Sequence, residues 1–186
     1  MGRSAVLNSI CNQIFDLCVK QNSSYKNTEY RVSLLRPIRR CRFSKGHKWY
    51  YLYLRQIVFL EVVARHQTIQ GEKVSSVSFR SGQGFAGIAY QDNIVVNENV
   101  VPYNNSNPNL YLDEFERRWR LPKKKTMSLN IKSSSFLCVP INYQHTDTVY
   151  GVISIDCVKQ VSFSARVARD VEQMAAVLTP IFSLDK

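Results

Sequence analysis

Apolar residues fall into two kinds of pattern along the chain, helical at both ends and alternating or continuous between. Leu7, Ile10, Ile14 and Leu17 recur at spacings of 3, 4 and 3. That is one apolar seam, and it predicts a helix from residue 4 to about residue 22. The small polar run NSSYKNT ends it. YRVSLLRPI (30–38) and WYYLYLRQIVFLEVVARHQ (49–67) are rich in β-branched and aromatic residues and predict strands. FSKGHK between them carries Gly46 at its tip, which makes a long hairpin. IAYQDN predicts a short helix, IVVNENVV (94–101) a strand or extended edge, and PYNNSNPN a loop. NLYLDEFERRWRL (109–121) places Leu112, Phe115 and Trp119 on one helical face. SFLCVPINY (135–143) and TVYGVISIDCV (148–158) read as two strands joined by the turn QHTD. In the closing helix, Val167, Val171, Met174, Leu178 and Ile181 step by 4, 3, 4 and 3, the a/d spacing of a coiled coil.

Helix, hairpin, short helical loops, a second strand pair and a helix make an α+β fold. The expected architecture is an antiparallel five- or six-stranded sheet with both terminal helices on one face. Residues 82–133 roof the other face. The chain divides as one domain over 1–186: an N-terminal helix over 1–24, sheet and roof over 25–160, and a C-terminal helix over 161–186.

SGQGFAGIAYQDNIVV (81–96) contains a G-x-G-x-x-G at Gly82, Gly84 and Gly87. In a dinucleotide-binding unit this turn follows a buried strand, and an acidic residue about 20 positions on takes the ribose. Here the equivalent window, 105–110, reads NSNPNL without a carboxylate, and the preceding EKVSSVSFR is polar. The glycines therefore serve a different turn.

Composition changes the picture at three points. With 45% hydrophobic and 21% charged residues, a 186-residue chain folds and buries a core. No run of about 18 uncharged apolar residues exists, so no transmembrane segment is expected; YLYLRQIVFLEVVA is broken by Arg55, Gln56 and Glu61. Nor does the N-terminus resemble a secretory signal. Five scattered cysteines, with no C-x-x-C, predict reduced thiols in a cytoplasmic setting and no metal site. The net charge of +11 is concentrated in two blocks. Between Glu29 and Glu61 there is no acidic residue, but there are Arg36, Arg39, Arg40, Arg42, Lys45 and Lys48. The second block holds Arg117, Arg118, Arg120 and Lys123 to Lys125. The first is interleaved with Phe43, Trp49, Tyr50, Tyr51 and Tyr53, a mixture that suits single-stranded nucleic acid or an acidic partner. A solvated strand face with tyrosines packed behind it is the plainer reading.

Four stretches, RVSLLRP, SGQGFAGIAYQDNIVV, SFLCVPI and TVYGVISID, together with the terminal helices, resemble in order the strands and glycine loop of a GAF domain. The resemblance implies a sensory module that binds a small polar or anionic ligand, a nucleotide or cyclic nucleotide among them, and signals through paired helices. It also implies an output domain in a longer parent protein. The expected ligand-lining residues are Tyr90, Asn97, Tyr103, Tyr111, Phe115 and Trp119 of the roof, with Phe136 and Cys138 from the sheet. Such aromatics with a few amides suit small-ligand pockets.

The N-K-x-F-D-E set of the cyclic-nucleotide members is not found, nor is the Cys-His pair of the bilin binders, and no cofactor is expected. A free methionine sulfoxide reductase type exists in the family and needs thiols gathered at the cavity. That gathering is not evident, and no catalytic residue is assigned. The alternatives are a ligand-free structural dimer module, or a nucleic-acid or acidic-partner binder using the basic hairpin. A homodimer is expected because Cys11, Phe15 and Cys18, with Ala168, Ala175 and Phe182, widen the apolar arc of the terminal helices beyond one seam.

Overall fold

The N-terminal seam forms helix α1 (Arg3–Gln21) and the long hairpin forms strands β1 (Tyr30–Phe43) and β2 (Leu54–Gln67). These come from a computed structural model, which describes residues 2–21, 30–43, 54–67, 78–129, 132–142 and 146–183. The middle of the chain gives β3 (Ser78–Arg80), α2 (Gly84–Asp92), β4 (Val96–Asn99), α3 (Asn109–Trp119) and the short α4 (Lys123–Met127). β5 (Ser135–Asn142), β6 (Val149–Cys157) and α5 (Ala165–Ser183) complete it. The pattern reading missed β3 and α4. Among the described residues no helix is long and apolar enough to cross a membrane.

Six strands run in the order β3-β2-β1-β6-β5-β4, with every neighbouring pair antiparallel. The period-2 alternation of the central strands divides their side chains between two cores. Val32, Leu34, Leu137, Val139, Ile153 and Ile155 face α1 and α5. Leu35, Leu60, Cys138 and Val152 face the roof built from α2 and α3.

Two local irregularities shape the sheet. In β2 the register jumps: Leu34 pairs with Ala64 and Leu35 with Val62, leaving Val63 as an extra residue. This bulge reverses the alternation. Leu60 and Val62 face the roof before it, and Arg65 rather than Ala64 does so after it. The second irregularity lies in β1, whose pairing with β6 stops at Leu35↔Val152 although its pairing with β2 continues to Phe43. Two residues further along β1 is Pro37, which has no N–H to give a neighbouring strand. The two strands part there.

Candidate functional site

The glycines of residues 82–87 fix how closely the roof approaches the sheet. Gly82 and Gly84 have φ of 77° and 66°, in the left-handed region that favours glycine. Gly82 N–H donates to the carbonyl of Gly87 at 2.8 Å, closing the turn. At Gly87 a Cβ would stand 2.5 Å from the carbonyl oxygen of Arg80. The motif is thus a turn that starts α2 tight against β3. It leaves Gly84, Phe85 and Ala86, the first turn of α2, facing a cavity between sheet and roof.

The cavity holds about 60 Å³. Its roof is aromatic: Phe85 stacks on Phe136 with centroids 3.9 Å apart and meets Phe115 edge-on at 5.5 Å. Its floor changes character along the paired strands β1 and β6. Leu35 opposes Val152, Ser33 opposes Ser154, and Arg31 opposes Asp156. Apolar, hydroxyl and charged pairs follow one another on one face.

At the charged end, Arg31 Nε and Nη2 donate to the two Asp156 oxygens at 2.9 and 2.8 Å. Asp156 is 4% exposed and also accepts the Ser133 hydroxyl at 2.5 Å. Arg65, brought to this face by the bulge, donates from Nε to Ser33 Oγ at 3.1 Å. Tyr111 spans the end of the site and donates its hydroxyl to the Ser133 carbonyl at 2.8 Å. Burial, with Asp156 second, pushes its phenol well above the usual range, so it stays a donor. Two guanidiniums and one carboxylate line the cavity among the described residues. The net positive charge of that lining favours an anion.

Of the residues expected to line a ligand site, Tyr111, Phe115 and Phe136 line this cavity. Cys138 is buried on the same side, but its thiol bonds to Ser154 Oγ at 3.5 Å and burial pushes its pKa up to about 12. Trp119 packs on Phe85 within the roof, centroids 4.0 Å apart, and Tyr103 meets Tyr111 edge-on at 5.4 Å. Neither Trp119 nor Tyr103 is among the cavity's lining residues. Asn97 is on the opposite face of the sheet from this cavity. Its β4 partner is Leu137 of the helix-side core, and its Nδ2 donates to the Phe163 carbonyl at 2.9 Å. Tyr90 lies at a separate open groove beside Arg36 and Arg39.

The basic blocks divide similarly. Arg40 pairs with Glu61 and sits 5.4 Å over the Phe59 ring, whereas Lys45, Lys48 and the side chain of Arg42 lie outside the described residues. In the second block, Lys123 pairs with Asp113, Arg118 with Glu98 at 2.9 Å, and Lys125 donates to the Ser78 carbonyl. Much of that block holds the roof together. Sequence reasoning missed Arg31, Ser33, Arg65, Ser154 and Asp156 as site residues. For Arg31, Ser33, Ser154 and Asp156 the signal was the alternation in RVSLL and VISID, which puts R-S-L and V-S-D on one face; for Arg65 there was none, because its face is set by the bulge.

No family model matches the chain, and no curated protein matches its sequence. Solved structures do match in three dimensions. The GAF domain of an Acinetobacter phosphoenolpyruvate-protein phosphotransferase superposes with a TM-score of 0.58 at 19% identity, over 99% of this chain and 84% of that one. The GAF-B domain of DevS from Mycobacterium smegmatis gives 0.53 at 12% identity, over 98% and 94%. A type II free methionine-R-sulfoxide reductase from Thermoplasma acidophilum gives 0.53 at 19% identity, over 94% and 93%. Signalling domains and an enzyme therefore share this architecture, and identities this low speak to the fold alone. From its first helix to its last, the chain has a GAF-like fold.

Proposed function

We propose that the protein is a sensory module whose cavity binds a small anion and does not turn it over. The observation that carries this reading is the floor of Arg31, Arg65, Ser33, Ser154 and Asp156 beneath an aromatic roof. Donors at one end and apolar walls at the other suit a compact anion with a short apolar part.

Size narrows the class. The cavity of about 60 Å³ is well under the roughly 150 Å³ that accommodates benzene. A ligand of a few heavy atoms matches that volume better than a nucleotide or cyclic nucleotide does. Binding without turnover is supported by the thiols. Cys11, Cys18 and Cys157 are buried in the helix-side core, away from the cavity, and Cys138 is held as a buried, protonated donor. Among the described residues four thiols are free and buried, which fits the reducing cytoplasm expected from the sequence.

The test is a thermal-shift screen of small carboxylates, inorganic anions, amino acids and nucleotides against wild-type protein and Arg65→Met. At least one small anion should raise the wild-type Tm saturably, as a ligand selective for the folded state must. The Arg65→Met shift should be much smaller. Free methionine sulfoxide with a thiol reductant should remain unconsumed; turnover would place the protein with the reductases instead. A screen with no wild-type shift would leave the ligand-free structural reading.

A further inference from the structure

Where β1 and β6 part beyond Leu35↔Val152, the sheet opens into a groove of about 540 Å³, nine times the volume of the roof cavity. One wall is β1, through Arg36, Pro37 and Arg39; the other is β6 and the residue before it, through Tyr150 and Thr148. Tyr90, near the end of α2, stands at the same opening. We propose that this groove is a second binding site, and that it takes a nucleotide, with phosphate on Arg39 and Arg36 and base against Tyr90 and Tyr150. The proposal does not rest on the roof cavity binding anything.

Charge is the first argument. Among the described residues lining the groove there are two arginines and no carboxylate. Arg39 is exposed, so its guanidinium is accessible to a phosphate and has the fork geometry to bind one. Arg39 and the half-buried Tyr90 line the same groove.

Volume and surface chemistry supply the rest. Inorganic phosphate uses only the arginines and leaves most of the groove unfilled. Two tyrosines add flat apolar surface on which a base can stack, and the volume lies within the roughly 300–1,000 Å³ of small-molecule sites. An acidic peptide is the competing occupant, since an exposed strand edge invites strand addition. Pro37 stands on that edge and has no N–H to offer an added strand, which disfavours it.

The experiment is calorimetric titration of the full chain with AMP, adenosine, inorganic phosphate and a short single-stranded oligonucleotide. AMP should saturate the protein, and adenosine and phosphate should each bind at least tenfold more weakly. Arg39→Glu should weaken AMP at least tenfold, and Tyr90→Ala should weaken AMP while leaving the weak phosphate affinity unchanged. Lys124→Glu makes the same charge change at an exposed position in α4 and should leave affinity within about twofold. Because Arg39 is exposed, its variants should keep the wild-type Tm; Arg39→Gln repeats the test if charge reversal perturbs folding. An oligonucleotide that binds more tightly than AMP, with the same loss on Arg39→Glu, assigns the site to a nucleic-acid strand by the same chemistry. The proposal is overturned if neither AMP nor the oligonucleotide saturates at millimolar concentration. It is equally overturned if phosphate matches AMP, or if Arg39→Glu binds as wild type does.

Discussion

Gly87 has no room for a methyl group. The atom a Cβ would strike is the Arg80 carbonyl oxygen, part of the backbone that holds β3 against β2. A flexible side chain could swing aside, but this oxygen moves only if the turn or the strand moves. Gly87→Ala should therefore destabilise the fold by about 2 kcal/mol. The expected signature is a lower urea midpoint at unchanged m-value. A midpoint equal to wild type would show that the turn yields, and that the close approach of α2 to β3 is not required. The same scale holds the site's chemistry, since Asp156 accepts from both Arg31 and Ser133. Its carboxylate is buried because it is paired, and the pair stands in register because β1 and β6 run antiparallel with Arg31 opposite Asp156.

Among elements, the bulge in β2 decides which residues of one strand meet which core. Its effect was not legible in the sequence, because LEVVARH alternates acceptably in either phase until the partner strand is known. By contrast, the terminal helices and the strands β1, β5 and β6 were legible from apolar spacing alone. Their burial is decided by the chain's own period, whereas β3 and α4 are too short to carry one. Past the bulge, His66 falls on the helix side, where it lies 4.1 Å from the Phe15 ring of α1 and its Nδ1 is 2.5 Å from Asn12 Oδ1. Its Nε2 is buried with no hydrogen-bond partner, and burial lowers its pKa although Asp16 opposes the shift. Protonation is thus harder in the folded state than in the unfolded one. The α1–β2 contact should give full stability above the ordinary histidine value of 6.5. It should lose part of that as pH falls below this value, and level off once the folded imidazole also protonates. Urea midpoints at about pH 7.5 and about pH 5.5 should differ more for wild type than for His66→Gln. Equal differences would mean that the imidazole does not feel its burial.

For the molecule as a whole, the question is whether the terminal helices have apolar surface left for a second copy. The expectation of a dimer rests on an apolar arc wider than one seam, but the sheet is broad enough to cover that arc. Cys11, Phe15, Cys18, Ala175 and Phe182 are all buried in the helix-side core. Phe182 is 3% exposed, and its ring lies where a Cβ on Gly151 would come within 2.8 Å of it. It is not an outer position. The sequence could not show this, because spacing along a helix measures the width of an apolar face and not the width of what covers it. On the solvent side of α5, Val177 at 69% exposure is the large apolar residue that stands out. Arg169, Glu172, Gln173 and Pro180 are exposed on the same helix. One valine among such neighbours offers far less than the roughly 800 Å² per partner of a stable interface. Phe182→Glu should therefore not yield a folded monomer; it forces a carboxylate into the core and should abolish cooperative unfolding at ordinary temperature. Val177→Glu should fold like wild type and have the same molar mass by light scattering at tens of micromolar, a range that reports moderate affinity. A dimeric wild type beside a monomeric Val177→Glu would show that α5 pairs after all, with Val177 at the centre of the contact.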